Sequence, residues 1–304
     1  MRLAHAAALA AAVALVPACG GGDGSDSAGR GGFDGERAFD DVRAQVAIGP
    51  RPAGSAASRE EVELIVDELR AAGVRDVGVQ RPHLNVVGRV PGSAPGAVVV
   101  GAHHDTLDLP GFVGTNDGAS GVAVVLELAR SLPARLDGPS LHLALFDAEE
   151  ARGDRPFELD GTRGSRQYVR YAAGGGPARQ GSPPFERVRA MVLFDLVGDC
   201  ELQIPREAGS DRGLYERFAA ASKAADGDPE PFSGETGAIL DDHVPFLRRR
   251  IPAVNLIDFS FGPGSSPGDF WHTGEDTLDK VCASSLDAVG EAALRAILRI
   301  GAGQ

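Results

Sequence analysis

The chain has 304 residues, with 43 acidic against 30 basic side chains and a formal net charge of −13. That balance disfavours nucleic acid as a partner and leaves the chemistry open. Its three cysteines are Cys19, Cys200 and Cys282. An exported location would permit Cys200 and Cys282 to pair, but sequence alone does not establish the bond.

Residues 1–18 hold an early Arg2, an apolar run from Ala6 to Val16 and small residues before Cys19. This is a secretory signal pattern, too short for a comfortable membrane span. "VPAC" also resembles a bacterial lipobox, whose cysteine is lipidated after cleavage; Pro17 is unusual there, so secretion without an anchor is the alternative. The expected location is outside a bacterial cytoplasm, with membrane attachment only through a lipid on Cys19. Residues 19–38, rich in Gly, Asp and Ser, read as a flexible tether, and residues 39–304 as one domain.

"SREEVELIVDELRAAGV" predicts a helix capped by Ser58, apolar at Val62, Ile65, Val66 and Leu69, and ended by Gly73. "LNVVGRV" and "GAVVVGAHHD" predict strands separated by the turn signal "PGSAPG". Gly118 to Leu132 reads as a buried helix and Leu141 to Phe146 as a buried strand. Further helices are expected near Gly164, Asp211 and Ser284, with strands at "RAMVLFDLVG" and "IPAVNLID". Strands alternating with helices imply a single-domain, doubly wound α/β fold. Its sheet should be mixed and mainly parallel, with helices on both faces.

The polar residues fall where such a sheet binds ligands. "VVVGAHHD", "LALFDAEE", "MVLFDLVGD" and "AVNLIDF" each bring His, Asp or Glu to a strand's carboxyl end. Carboxylates at the edge of a core cost several kcal/mol, roughly, unless a cation or donor answers them. Singly, each candidate has an ordinary explanation as a helix cap, a solvated pair or a hydrogen-bonded histidine. Their convergence carries the inference. His103, Asp105, Asp117, Glu149, Glu150, Asp195 and His272 offer imidazole and carboxylate ligands without thiolate, a usual donor set for catalytic zinc. The sequence contains no H-E-x-x-H helix.

"GAHHDT", "GTNDGASGVAVVLELAR", "LFDAEEA", "GSRQY", "FDLVG" and "DFWHT" resemble, in order and spacing, the M28 zinc metallopeptidases and the related glutaminyl-peptide cyclotransferases. The resemblance runs from about Arg59 to the C-terminus and implies a zinc-dependent catalytic domain. It implies one or two Zn2+ ions held by His103, Asp117, Glu150, Asp195 and His272. It further implies Asp105 as the orienting partner of His103, Asp117 as a bridge between metals, and Glu149 as general acid/base. Peptide or protein N-termini are the implied partners.

Two reactions share this apparatus. "ILDDHVPFLRRRIPAVNLI" resembles the cyclotransferase branch, placing Asp241 as an acidic active-site residue and Trp271 as a pocket wall. Animal cyclases carry a tryptophan shortly after the Glu pair; none follows here, and Phe157 is the aromatic available. Retention of His103 and Asp195 suits a two-metal aminopeptidase, the alternative reading. A non-catalytic binding domain, the third, should show broken ligands, and here they are intact.

Overall fold

A computed structural model describes residues 32–174, 180–226 and 231–300. The predicted signal segment and Cys19 lie outside the described residues. In chain order the elements are α1 (Gly35–Ile48), α2 (Ala56–Ala71), β1 (Arg75–Val79), β2 (Val86–Val90), β3 (Ala97–His103), α3 (Ala119–Ser131) and β4 (Ser140–Phe146). They continue with α4 (Phe157–Asp160), α5 (Arg163–Ala172), β5 (Val188–Asp195), β6 (Arg206–Glu207), α6 (Arg212–Asp226), β7 (Glu235–Thr236), α7 (Val244–Leu247), β8 (Ala253–Ile257) and α8 (Ala283–Arg299). Among the described residues no helix is long and apolar enough to cross a membrane.

One six-stranded sheet runs β1-β2-β4-β3-β5-β8. Strands β4, β3, β5 and β8 are parallel, while β1 and β2 extend the edge as antiparallel strands. The continuous apolar runs of the central strands follow from burial on both faces. Val98, Val100 and Ala102 of β3 join the larger core, under α1, α2, α3, α6 and α8, whereas Val99 faces the smaller core with Tyr168 of α5 and Phe246 of α7. Leu141, Leu143 and Leu145 repeat the alternation against Ala144 and Phe146 in β4. Helix α3 lies so close to β5 that a Cβ at Gly121 would stand 2.3 Å from the Phe194 carbonyl oxygen.

Two expectations need correction. The predicted tether ends too late: α1 begins at Gly35, and Phe33 is buried with its amide donating to Glu291 at 2.7 Å. The cap of α2 is Ser55, whose hydroxyl accepts from the Ser58 amide at 2.9 Å, so Ser58 lies inside the helix. Cys200 and Cys282 form a disulfide that ties the segment after β5 to the start of α8.

Candidate metal centre and catalytic cleft

The carboxyl ends of β3, β4 and β5 deliver the predicted residues to one place. His103 ends β3, Asp195 ends β5, and Glu149 and Glu150 follow β4 by a few residues. Ala148 (φ 57°), Leu196 (φ 48°) and His272 itself (φ 54°) adopt the left-handed conformation that L-residues avoid. Such geometry costs of order 1–3 kcal/mol and persists where surrounding contacts impose it. Here it turns the chain sharply where side chains must point into the cleft. Gly118 (φ +100°) opens α3 beside His103; a Cβ there would lie 3.2 Å from the imidazole Cε1.

Two triads result, sharing Asp117: His103, Asp117 and Asp195, and Asp117, Glu150 and His272, each with ligand atoms within 4.8 Å. His103 Nε2 is 3.2 Å from Asp117 Oδ1 and 3.2 Å from Asp195 Oδ1. His272 Nε2 is 3.3 Å from both Asp117 Oδ2 and Glu150 Oε1. Those two oxygens are buried, yet neither accepts an aligned hydrogen bond. Donors about 3.3 Å apart match the edge of a tetrahedron with metal–ligand bonds of about 2.0–2.1 Å. The residues therefore fit a metal ion in each triad.

Neighbouring groups orient the triads. His103 Nδ1 donates to the Asp105 carbonyl oxygen at 3.1 Å, leaving Nε2 to face the site. The Asp105 carboxylate is 3.8 Å from Nδ1 and accepts instead from the amides of Glu149 (2.9 Å) and Glu150 (3.3 Å). Asp105 is thus the neighbour that orients His103, through its backbone carbonyl with its carboxylate also nearby, and the same carboxylate fixes the Glu pair. Asp147 accepts from the Leu84 amide at 2.8 Å, fastening the turn after β4. Asp276 accepts from the amides of Asn116 (2.7 Å) and Asp117 (3.1 Å).

The electrostatics describe a site short of positive charge. Burial lifts Asp117, but His103 and His272 outweigh it and hold the carboxyl well below its ordinary 3.8. Burial pushes Glu150 to about 7, with the charge of Asp117 adding to the rise and His272 opposing it. Burial would depress His272, yet Asp117 and Glu150 raise it to about 10. Glu149 stands well above its usual range, first through burial and then through Glu150, Asp241 and Asp242, partly opposed by His103. A bound cation would displace the protons these groups otherwise keep.

The cleft in front of the triads measures about 520 Å³ and includes Glu149, Asp241, Phe157, Leu240, Phe259 and Trp271 in its lining. Trp271 stacks on His272 at 3.8 Å between ring centroids and 19° between planes, and Phe112 meets the same imidazole edge-on. Asp241 is buried and accepts from Asn255 Nδ2 at 2.7 Å and from the Asp242 amide at 2.5 Å. Burial, with the nearby charges of Asp195 and Asp242, holds its carboxyl well above 3.8. The predicted metal, catalytic and pocket residues other than His103 line this one cleft, and His103 stands behind it against Asp117 and Asp195. Sequence reading missed Asp242, which Ser165 Oγ meets at 2.5 Å, together with Asn255 and Asp276. A polar residue inside the apolar run "AVNLI" was the available signal for Asn255, since buried amides need partners.

The family profile described as Peptidase family M28 matches residues 85–297. A curated glutaminyl-peptide cyclotransferase from Bos taurus is 27% identical over 278 residues, spanning 78% of this chain and 74% of its own. A solved Acidobacteriales bacterium glutaminyl cyclase superposes with a TM-score of 0.76 at 29% identity, covering 92% of this chain and 98% of that one. A Zn-dependent exopeptidase from Parabacteroides distasonis superposes with a TM-score of 0.73 at 25% identity, covering 89% and 99%. Profile, cleft and triads agree: the chain belongs to peptidase family M28.

Proposed function

We propose that this chain is a zinc-dependent glutaminyl-peptide cyclotransferase that converts an N-terminal glutamine to pyroglutamate and releases ammonia. The observation that carries the reading is the pair of buried acids lining the cleft, Glu149 and Asp241, the latter fixed by Asn255. Glutaminyl-peptide cyclotransferases and glutaminyl cyclases among the relatives support it.

His103, Asp117, Asp195, Glu150 and His272 would hold one or two Zn2+ ions, which when bound supply Lewis-acid polarisation of the substrate's amide carbonyl. Trp271 and Phe157 wall the cleft and hold the glutamine curled, so that its α-amine meets its own Cδ. Such proximity contributes up to roughly 7–11 kcal/mol. The bond from the α-nitrogen to Cδ forms as the bond from Cδ to the amide nitrogen breaks. Glu149 takes the proton from the attacking amine and delivers it to the departing nitrogen, which leaves as ammonia. Asp241, held by Asn255, stands beside this transfer, and its negative charge adds to the rise of the Glu149 carboxyl, which makes Glu149 a better acceptor for the amine proton.

A second reading, an M28 aminopeptidase, is favoured by the completeness of both triads. There Glu149 takes its proton from an attacking water, and two ions are required. Purified protein assayed on Gln-β-naphthylamide and Leu-p-nitroanilide, with metal measured on the same sample, tests both. Ammonia from the first substrate alone is the expected result. Nitroaniline release with two zinc ions per chain assigns the peptidase, and inactivity on both substrates overturns both readings.

A further inference from the structure

We infer that Asp160 is a positioning residue that sets the outer wall of the cleft, acting through Phe157 and the backbone of Glu150. The inference rests on this cleft being the substrate site, as proposed above. The chain leaves the sheet after Phe146, passes the Glu pair and loops out before α5. Its stem is closed by Thr162 N donating to Glu149 O at 2.7 Å and by Arg163 N donating to Ala148 O at 2.9 Å. Beyond that stem, the Asp160 carboxylate gathers the loop. Its Oδ2 accepts from the Arg152 amide (2.9 Å), Arg152 Nε (2.9 Å) and Arg163 Nη1 (2.7 Å). Its Oδ1 accepts from Arg152 Nη2 at 2.6 Å and from Arg155 Nη1 at 3.4 Å. Arg163 Nη2 also donates to the Glu150 carbonyl at 3.1 Å.

The Asp160 side chain is only 7% exposed, whereas those of Arg152 and Arg155 are 60% and 62% exposed. One sheltered carboxylate thereby joins the start of the loop to the end of α4. The first residue of α4 is Phe157, which lines the cleft. The ring sits against the turn that Asp160 begins, for a Cβ at Gly161 would stand 2.7 Å from it. A bidentate guanidinium–carboxylate fork is geometrically specific. Without it, binding substrate would also require ordering Phe157, an entropic cost paid in affinity and not in the chemical step.

The test compares wild type with Asp160→Asn and with Arg152→Gln, the second a change on an exposed side chain. KM for Gln-β-naphthylamide should rise about 3- to 10-fold in each, with kcat changed less than about twofold and metal content unchanged. In a Phe157→Ala background, Asp160→Asn should add less than about twofold, because both act on one wall. Trypsin should nick the folded protein after Arg152 faster in Asp160→Asn than in wild type, a readout independent of turnover. An unchanged KM, an equal fall in kcat, additivity with Phe157→Ala, or unchanged nicking overturns the inference. If wild type turns over no glutamine substrate, the proposed reaction fails while the trypsin comparison still decides the clasp.

Discussion

Two loops leave the adjacent parallel strands β3 and β4 toward the site, and arginines hold each in a different medium. The loop from β3 to α3, which carries Asp117, is gripped from inside. Arg51 is wholly buried and gives Nη1 to the carbonyls of Gln45, Gly49 and Val113 and Nη2 to that of Gly114. Its Nε faces the equally buried Glu61 at 2.8 Å. The loop from β4 to α5 is gripped near the surface, by Asp160 with the sheltered Arg163 and two arginines that reach it from solvent. In the interior a lost partner leaves a charge that nothing answers, whereas at the surface water and salt replace it. The loop that carries Asp117 is therefore tied to the core. The loop that walls the cleft is held by contacts that solvent can loosen.

The contrast can be broken or sharpened in four ways. The largest effect should separate chemistry from loop geometry altogether. Glu149→Gln should lower kcat by about 10²–10⁴ with metal retained, while Glu150→Gln should lose metal, both read by kinetics and elemental analysis. If Glu149→Gln keeps a near-native rate, the division of labour in the pair is wrong. Next, Arg51→Met should cost about 3–5 kcal/mol in urea unfolding, because Glu61 would be left buried beside an apolar chain. A loss below about 1 kcal/mol would erase the difference between interior and surface grips.

The third effect is a pH dependence. Glu150, Asp242 and Asp276 are pushed by burial to about 7, and His272 is raised to about 10 because its carboxylates outweigh its burial. A group with a raised folded pKa stabilises fully below its unfolded pKa, and that contribution is lost as pH rises through the folded value. The chelated protein should therefore melt progressively lower from about pH 5 to about pH 9, and metal should flatten the trend. A melting temperature that climbs over this range for chelated protein would contradict it. The smallest effect belongs to the outer grip: Arg152→Gln should shift the melting temperature by about 2 °C or less. A larger shift would make the surface loop as structural as the interior one.

Much of this was legible because burial on both faces writes itself into composition. The runs ending at His103, Phe146, Asp195 and Ile257 are apolar without alternation, so strand, strand end and the acid or imidazole beyond it could be read together. Helix α1 was harder to see. Its buried stripe is Ala38, Val42 and Gln45, scarcely distinct from the polar stretch before it, and Phe33 becomes a core residue only against Gly290 of α8. Ser55 and Ser58 are equally able caps by type, and the turn from Pro52 to Ser55 decides between them. Arg51, Asn255 and Asp276 act on partners brought to them by the fold, such as Asp276 on Asn116, 160 residues apart in sequence. No period or spacing encodes such a pairing.

By itself, the sequence determined the α/β class, the order of the buried strands and the identity of the donors at their carboxyl ends. These follow from local patterning and from the chemistry of side-chain types. Only the tertiary structure decided the distances from Asp117 to both histidines, that Asp105 supports the Glu pair through its carboxylate, and that Phe157 lines the cleft. Those outcomes depend on angles and distances of a few ångströms between segments far apart in the chain. Packing and hydrogen-bond satisfaction set them, and no single segment carries them alone.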